Sequence, residues 1–229
     1  MNDGNPAASL PPLPRDRLTA ALALVPVAAA LGIACGVTVL LITVFNYMIE
    51  PIGRDLGLSR PETTAALSVH LAMLIIALPA AGALADRFGA RRVICASAVL
   101  FGLALLGISR VEGGRVALYA AFALAGLAGA GASPVTYARV IVHRFNAHRG
   151  LALGIALSGT GLGGALLPAL AQPIVVEQGW REAFQALAML AAGVGLLAGL
   201  SVGSGKAASG GPAAAAGYTL RGAAQRGVF

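Results

Sequence analysis

The chain has 229 residues and a mean hydropathy of +0.82, with 58% of its residues hydrophobic and 11% charged. Soluble domains carry about 25% charged residues, so a water-soluble fold is excluded and lipid is the solvent that such a surface requires. The formal net charge of +7 is spread over short segments between apolar runs rather than along one stripe, which argues against a nucleic-acid partner.

Residues 1–17 are small, polar and Pro-rich and read as a disordered tail. From Leu18 to Tyr47 no residue is charged. That run is about 30 residues long, against the roughly 20 that cross a bilayer, and about twice the apolar core of a cleaved signal. Five more uncharged runs follow: Thr63–Leu84, Val93–Ser109, Val116–Ala138, Leu151–Val176 and Ala183–Val202. Residues 18–202 therefore predict an all-α, polytopic membrane bundle of six transmembrane helices. Residues 203–229 begin Gly/Ala/Ser-rich and read as a flexible linker that stops within a connection. Cys35 and Cys95 both fall inside apolar runs, where packing thiols rather than a disulfide are expected.

The loops set an orientation. Eleven basic residues lie on the side of the two tails and the even-numbered loops, and five on the other side. Cytoplasmic loops carry the Lys/Arg excess, so both termini are expected in the cytoplasm of a cell with the bundle in its cytoplasmic (inner) membrane. An even number of spans requires the same.

The loop after the second span reads Gly82-Ala-Leu84-Ala-Asp86-Arg87-Phe-Gly89-Ala-Arg91-Arg92. Gly82 and Gly89 allow close approach and a tight turn. Asp86 is expected at the start of a helical turn, where the dipole favours a carboxylate. The loop resembles the signature between the second and third helices of the major facilitator superfamily. The resemblance implies one six-helix half of a 12-helix fold, built of two three-helix inverted repeats, with Gly82, Leu84, Asp86, Arg87, Gly89, Arg91 and Arg92 forming a conformational latch. Asp86 would be its acid, and Arg139 and Arg144 the nearest candidate cations. Leu56-Gly-Leu-Ser-Arg60, Arg144 through Gly159, and Gly179-Trp-Arg-Glu-Ala-Phe184 resemble the oxalate/formate antiporter and monocarboxylate carrier branch. That branch implies small carboxylates as substrates and alternating access as mechanism. Gly150, Gly159 and Gly163 resemble the first part of an antiporter pattern, which then departs: Gly164 stands where Pro is expected.

Polar groups inside a bilayer are costly and mark solute pathways. Gly32, Gly36, Thr43 and Asn46 share one helical face of the first span, with Tyr47 beside Asn46. Gly126, Ala130, Ser133 and Tyr137 share one of the fourth, and the fifth carries Gly154, Ser158 and Gly161. Each face can line a cavity or pack against a neighbour. His70 sits inside the second span, either as a proton relay or as a neutral ring bonded to a backbone carbonyl. Thr43, Asn46, Tyr47, His70, Ser133, Tyr137 and Ser158 are the candidate substrate path. No nucleotide loop, metal cluster or nucleophile–base pair is legible, so no enzyme activity and no cofactor is expected. The expected partners are the lipid bilayer, a small solute, and a second six-helix half or a second copy of the chain. The rival readings are a truncated membrane protein without transport and a self-assembling six-span pore. An alkaline phosphatase fused after Val202 is expected to be inactive, since that enzyme needs an exported site; strong activity would overturn the orientation.

Overall fold

The computed structural model describes residues 20–145 and 148–202; the tails expected at 1–17 and 203–229 lie outside the described residues. Within them, six stretches are long and apolar enough to cross a membrane, and every regular element is helical. Span 1 comprises α1 (Ala20–Ala34) and α2 (Val37–Leu56). Span 2 is α3 (Arg60–Phe88) and span 3 is α4 (Ala90–Ser109). Span 4 runs through α5 (Arg115–Gly129), a 3-10 turn (Ala130–Ala132) and α6 (Pro134–Arg144). Spans 5 and 6 are α7 (Arg149–Glu177) and α8 (Trp180–Ser201).

Two spans expected as continuous helices are broken. In span 1, the helix ends at Ala34 and restarts after Gly36, whose backbone is extended. In span 4, Ser133 is extended and Pro134 opens α6, because Pro has no N–H to continue the ladder but suits the first turn of a new helix. The breaks are adjacent: a Cβ on Gly36 would lie 3.4 Å from the Ala132 carbonyl. Span 1 also runs nine residues past Tyr47. Glu50 and Arg54 pair one turn apart at 2.5 Å there, and Gly57 stops the helix in a left-handed conformation at φ 66°. At the next turn, both the backbone N–H and the hydroxyl of Ser59 donate to Glu62 Oε2, fixing the start of α3.

The packing repeats between spans 1–3 and spans 4–6, with corresponding spans running in opposite directions. Span 1 packs along span 5, and span 4 along span 2; spans 3 and 6 pack on each other at the back. Both repeats carry their break in the first span. Both make their last turn at a positive-φ glycine followed by one residue and an arginine: Gly89-Ala90-Arg91 and Gly179-Trp180-Arg181. This is the fold of two three-helix inverted repeats. Small residues bring the helices together: Gly102 and Gly195 of spans 3 and 6 meet Ala192 and Ala98. The centre is aromatic, with Phe122 edge-on to Phe45 at 5.0 Å and to Phe184 at 6.4 Å.

The most apolar windows of α3 and α7 are only 17% and 28% buried, against 61% and 50% for spans 1 and 4. Spans 2 and 5 therefore expose most of their apolar windows. A Cβ at Gly159 or Gly163 of α7 would collide with the Ala30 or Ala34 carbonyl of α1, whereas Gly161 has open space. Gly159→Ala is expected to lower unfolding stability by about 1–3 kcal/mol through overpacking. Gly161→Ala is expected to be neutral or to gain up to about 1 kcal/mol from helix propensity. Thermal unfolding of the two purified variants in micelles checks the contrast.

Candidate functional site

The bundle has two chemically different ends. One carries the Gly89 turn, the end of α6 at Arg144 and the start of α7 at Arg149, and is here called the Asp86 end. The other, the Glu50 end, carries the Gly57, 110–114 and Gly179 turns.

At the Asp86 end, α3 continues as a helix to Phe88. Asp86 thus lies in the last turn of α3 and not at a helix start as expected, and the dipole there disfavours a carboxylate. Its compensation is Arg139 of α6, whose Nη1 is 3.7 Å from Asp86 Oδ1. The guanidinium lies against Gly82, where a Cβ would come within 3.1 Å of Nη1. Gly82 is therefore the position that admits the arginine, and Gly89 turns the chain at φ 88°. Arg87 stacks over Phe88 at 5.2 Å. Leu84 and Arg92 are exposed and Arg91 is half-buried. Arg144, expected as a second partner for Asp86, instead donates to the Val202 carbonyl at 2.5 Å. Arg149 donates to the Val142 carbonyl at 3.3 Å.

The residues expected to line a path divide into two groups. Asn46, Tyr47 and Ser158 are exposed, and Thr43 is half-buried. Three of them spend a bond on their own helix. Thr43 donates to the Val39 carbonyl at 2.7 Å, Asn46 to Ile42 at 3.2 Å and Ser158 to Ile155 at 2.7 Å. His70, Ser133 and Tyr137 are fully or almost fully buried, as are Gly126 and Ala130, which the sequence places on one face with Ser133 and Tyr137. Ser133 Oγ is 3.4 Å from Thr136 Oγ1. The Tyr137 phenol lies against Gly32 of α1. His70 Nδ1 is 3.4 Å from the Phe122 carbonyl.

At the Glu50 end, a hollow of about 370 Å³ opens between α2, the start of α3 and the end of α7, lined by Asn46, Tyr47, Glu50, Arg60, Val175 and Val176. A second hollow of about 330 Å³ adjoins it through Ile49, Glu50 and Arg60. Glu50 and Arg60 escaped the sequence reading because both lie outside the uncharged runs. So did a clamp at the same end. Asp55 accepts from Trp180 Nε1 at 3.2 Å and from Arg181, and Arg181 also donates to the Val111 carbonyl at 3.0 Å. The signal available was one of three acids in the first loop and a Trp-Arg pair in the fifth, which only their spatial meeting makes meaningful.

The Asp86–Arg139 pair is solvent-exposed on both sides, at 77% and 52%, and such pairs contribute about 0–1 kcal/mol. Asp86→Asn is accordingly expected to leave thermal unfolding within about 1 kcal/mol of the parent. A larger loss would mean that the acid holds the bundle together rather than acting at its edge.

Known proteins bear on this arrangement. Riboflavin transporter RibJ of Trypanosoma brucei brucei is 48% identical over 54 residues, which is 24% of this chain and 10% of that protein. The Trypanosoma cruzi riboflavin transporter RibJ is 44% identical over 54 residues, 24% of this chain and 11% of that protein. An uncharacterized 38 kDa protein in a 23S RNA operon of Thermoproteus tenax is 32% identical over 147 residues, 64% of this chain and 38% of that protein. The chain thus spans well under half the length of the curated relatives it matches. The pattern of the Major Facilitator Superfamily covers residues 31–224, most of the chain and all six helical spans but the start of the first, and the chain belongs to that superfamily.

Proposed function

We propose that this bundle forms one wall of a secondary transporter that works by alternating access, with Asp86 and Arg139 latching the Asp86 end in one access state. The observation that carries the reading is the exposure of α3 and α7, which we read as the flanks of one open face, with the hollow beside Asn46 and Tyr47 at the Glu50 end. A second six-helix bundle, either a partner half or a second copy, would close that face, leaving a midplane site between the two. The bundle rocks in the cytoplasmic membrane with the Asp86 end inward, as the basic residues of that end favour.

The substrate class we favour is a small carboxylate, on the resemblance of the first, fourth and fifth loops to monocarboxylate and oxalate/formate carriers. No Lys or Arg stands between Leu18 and Tyr47 or in the other uncharged runs, so the midplane cation for an anion comes from the opposite bundle. A second reading is a neutral, hydrogen-bonding solute such as riboflavin. The short matches to two riboflavin transporters and the uncharged polar groups Asn46, Tyr47 and Ser158 favour it.

Counterflow in liposomes tests both. The chain alone is expected to show no saturable uptake of labelled oxalate, formate, lactate or riboflavin, because its open face has nothing opposite. Paired with a second six-helix bundle encoded beside it, it is expected to take up a carboxylate. Asp86→Asn in that pairing should lower the rate by up to about fivefold, as loss of about 0–1 kcal/mol from an exposed pair that favours one access state does. Uptake by the chain alone would overturn the one-wall reading, and uptake of riboflavin without carboxylates would select the second substrate.

A further inference from the structure

The two adjoining hollows at the Glu50 end share Ile49, Glu50 and Arg60, and the charges that line them do not cancel. Glu50 is held by Arg54, one turn further along α2. That pair leaves Arg60 over. Among the described residues the Arg60 side chain makes no ion pair, so the lining carries one net positive charge. Glu177 follows Val176 in the chain, but it is exposed and is not part of either lining.

The base from which this guanidinium extends is rigid. Arg60 opens α3 directly after the Ser59 cap, whose N–H and hydroxyl both donate to Glu62. Pro61 follows, with its φ already set for a first helical turn. The Thr64 hydroxyl donates to the Arg60 carbonyl at 2.9 Å. The backbone of Arg60 is therefore fixed while its five N–H donors are left for a ligand.

The rest of the larger hollow is donor-rich on one side and apolar on the other. Tyr47 is 46% exposed, which leaves its hydroxyl open to donate. Asn46 spends one amide hydrogen on the Ile42 carbonyl and keeps the second. Opposite them stand Val175 and Val176 of α7. An uncompensated guanidinium presents two parallel N–H groups to the two oxygens of a carboxylate. A valine wall suits a short hydrocarbon tail and disfavours a second charge.

We propose that Arg60 and Tyr47 form a capture site for a monocarboxylate at the Glu50 end, ahead of the midplane site. This deepens the transporter reading and rests on it for its purpose, though not for its chemistry. The Arg60 guanidinium holds the carboxylate by its fork, the Tyr47 hydroxyl donates to it, and the tail lies against Val175 and Val176. The hollow of about 370 Å³ falls at the low end of the roughly 300–1,000 Å³ of small-molecule sites, which fits an acid of a few carbons. A phospholipid phosphate, also an anion with an apolar tail, shares this chemistry, and the lipid composition below separates the two.

The test uses the purified chain in phosphatidylcholine nanodiscs titrated with butyrate, with magnetisation transfer from protein to ligand read by proton NMR against empty discs. A saturable signal, strongest at the butyrate methyl, is expected. Arg60→Gln should weaken binding about tenfold by removing the charged fork. Arg60→Lys should weaken it about threefold, since it keeps the charge without the fork. Arg110→Gln, which removes an exposed cation of the same end outside both hollows, should leave it unchanged. Succinate, a dianion with the same number of carbons, should bind about tenfold more weakly, because its second carboxylate meets the valine wall. If Arg60→Gln fails to fold, Tyr47→Phe decides in its place, with an expected loss of about threefold for one hydrogen bond. No saturable signal in the parent overturns the proposal, and so does equal binding by Arg60→Gln. Phosphatidylglycerol added to the discs should leave butyrate binding intact; loss of the signal would assign Arg60 to a lipid headgroup and overturn the capture site. None of these readouts involves transport, so failure of the transporter reading would show separately, in counterflow.

Discussion

Every backbone N–H and C=O in a bilayer must find its partner inside the protein, and this bundle interrupts two of its six helices at mid-span. The packing around those interruptions follows from that requirement. In span 1, Gly36 N–H turns back to Ile33 at 3.1 Å, and the ladder resumes with Leu40 N–H to Gly36 at 3.0 Å. In span 4, Ser133 N–H reaches Ala130 at 3.3 Å, and Gly131 N–H is met from another helix by Ser97 Oγ at 3.1 Å. That bond accounts for a buried serine on α4. An unmet amide there would cost several kcal/mol, roughly 2–7. The two breaks lie against each other in the two most buried spans, where lipid cannot reach them.

Close packing of the breaks then dictates where side chains must be absent. Gly126, Gly129, Gly131, Gly159 and Gly163 all sit where a Cβ would strike span 1, α3 or α4. Helices in lipid gain little from the hydrophobic effect on meeting one another and rely on close contact between small residues. The glycine content read from composition is thus spent on a few particular contacts around spans 1 and 4. Other glycines, Gly150, Gly154 and Gly161, face open space on α7.

The two ends differ in how their charges are used. At the Glu50 end, three of the six acids pair with bases within the bundle: Glu50 with Arg54, Asp55 with Arg181, Glu62 with Arg115. The Asp55 clamp also joins α2, α8 and the loop after α4. At the Asp86 end, Asp86 is the one acid among the described residues, and arginines in excess of it turn to helix carbonyls, as Arg144 and Arg149 do. The first arrangement ties the bundle into a unit. The second leaves a cationic end held by one exposed pair, which suits a contact that is made and broken as rigid bundles rock.

The membrane class, the six spans, the family and the Asp86–Arg139 neighbourhood were legible in the residues. Each depends on local properties: uncharged runs longer than a bilayer, and a loop whose turn demands Gly89. The helix breaks were not legible. Cys35-Gly36 and Ser133-Pro134 sit within long apolar runs, and Gly and Pro are tolerated inside membrane helices, so whether a helix bends or stops there depends on what packs beside it. Of the expected faces, that of span 4 is buried at Gly126, Ala130, Ser133 and Tyr137, while that of span 1 divides, with Gly32 and Gly36 buried and Asn46 exposed. Composition by itself determined that the chain lives in lipid and how many times its backbone crosses it, because transfer energies add along the chain. Only the tertiary structure decided which polar groups face the open side and which are enclosed, since His70 and Asn46 read alike as polar residues in apolar runs. One is enclosed beside the Phe122 carbonyl of α5 and the other stands at the rim of the hollow between α2 and α7, and that difference lies in the packing of distant segments.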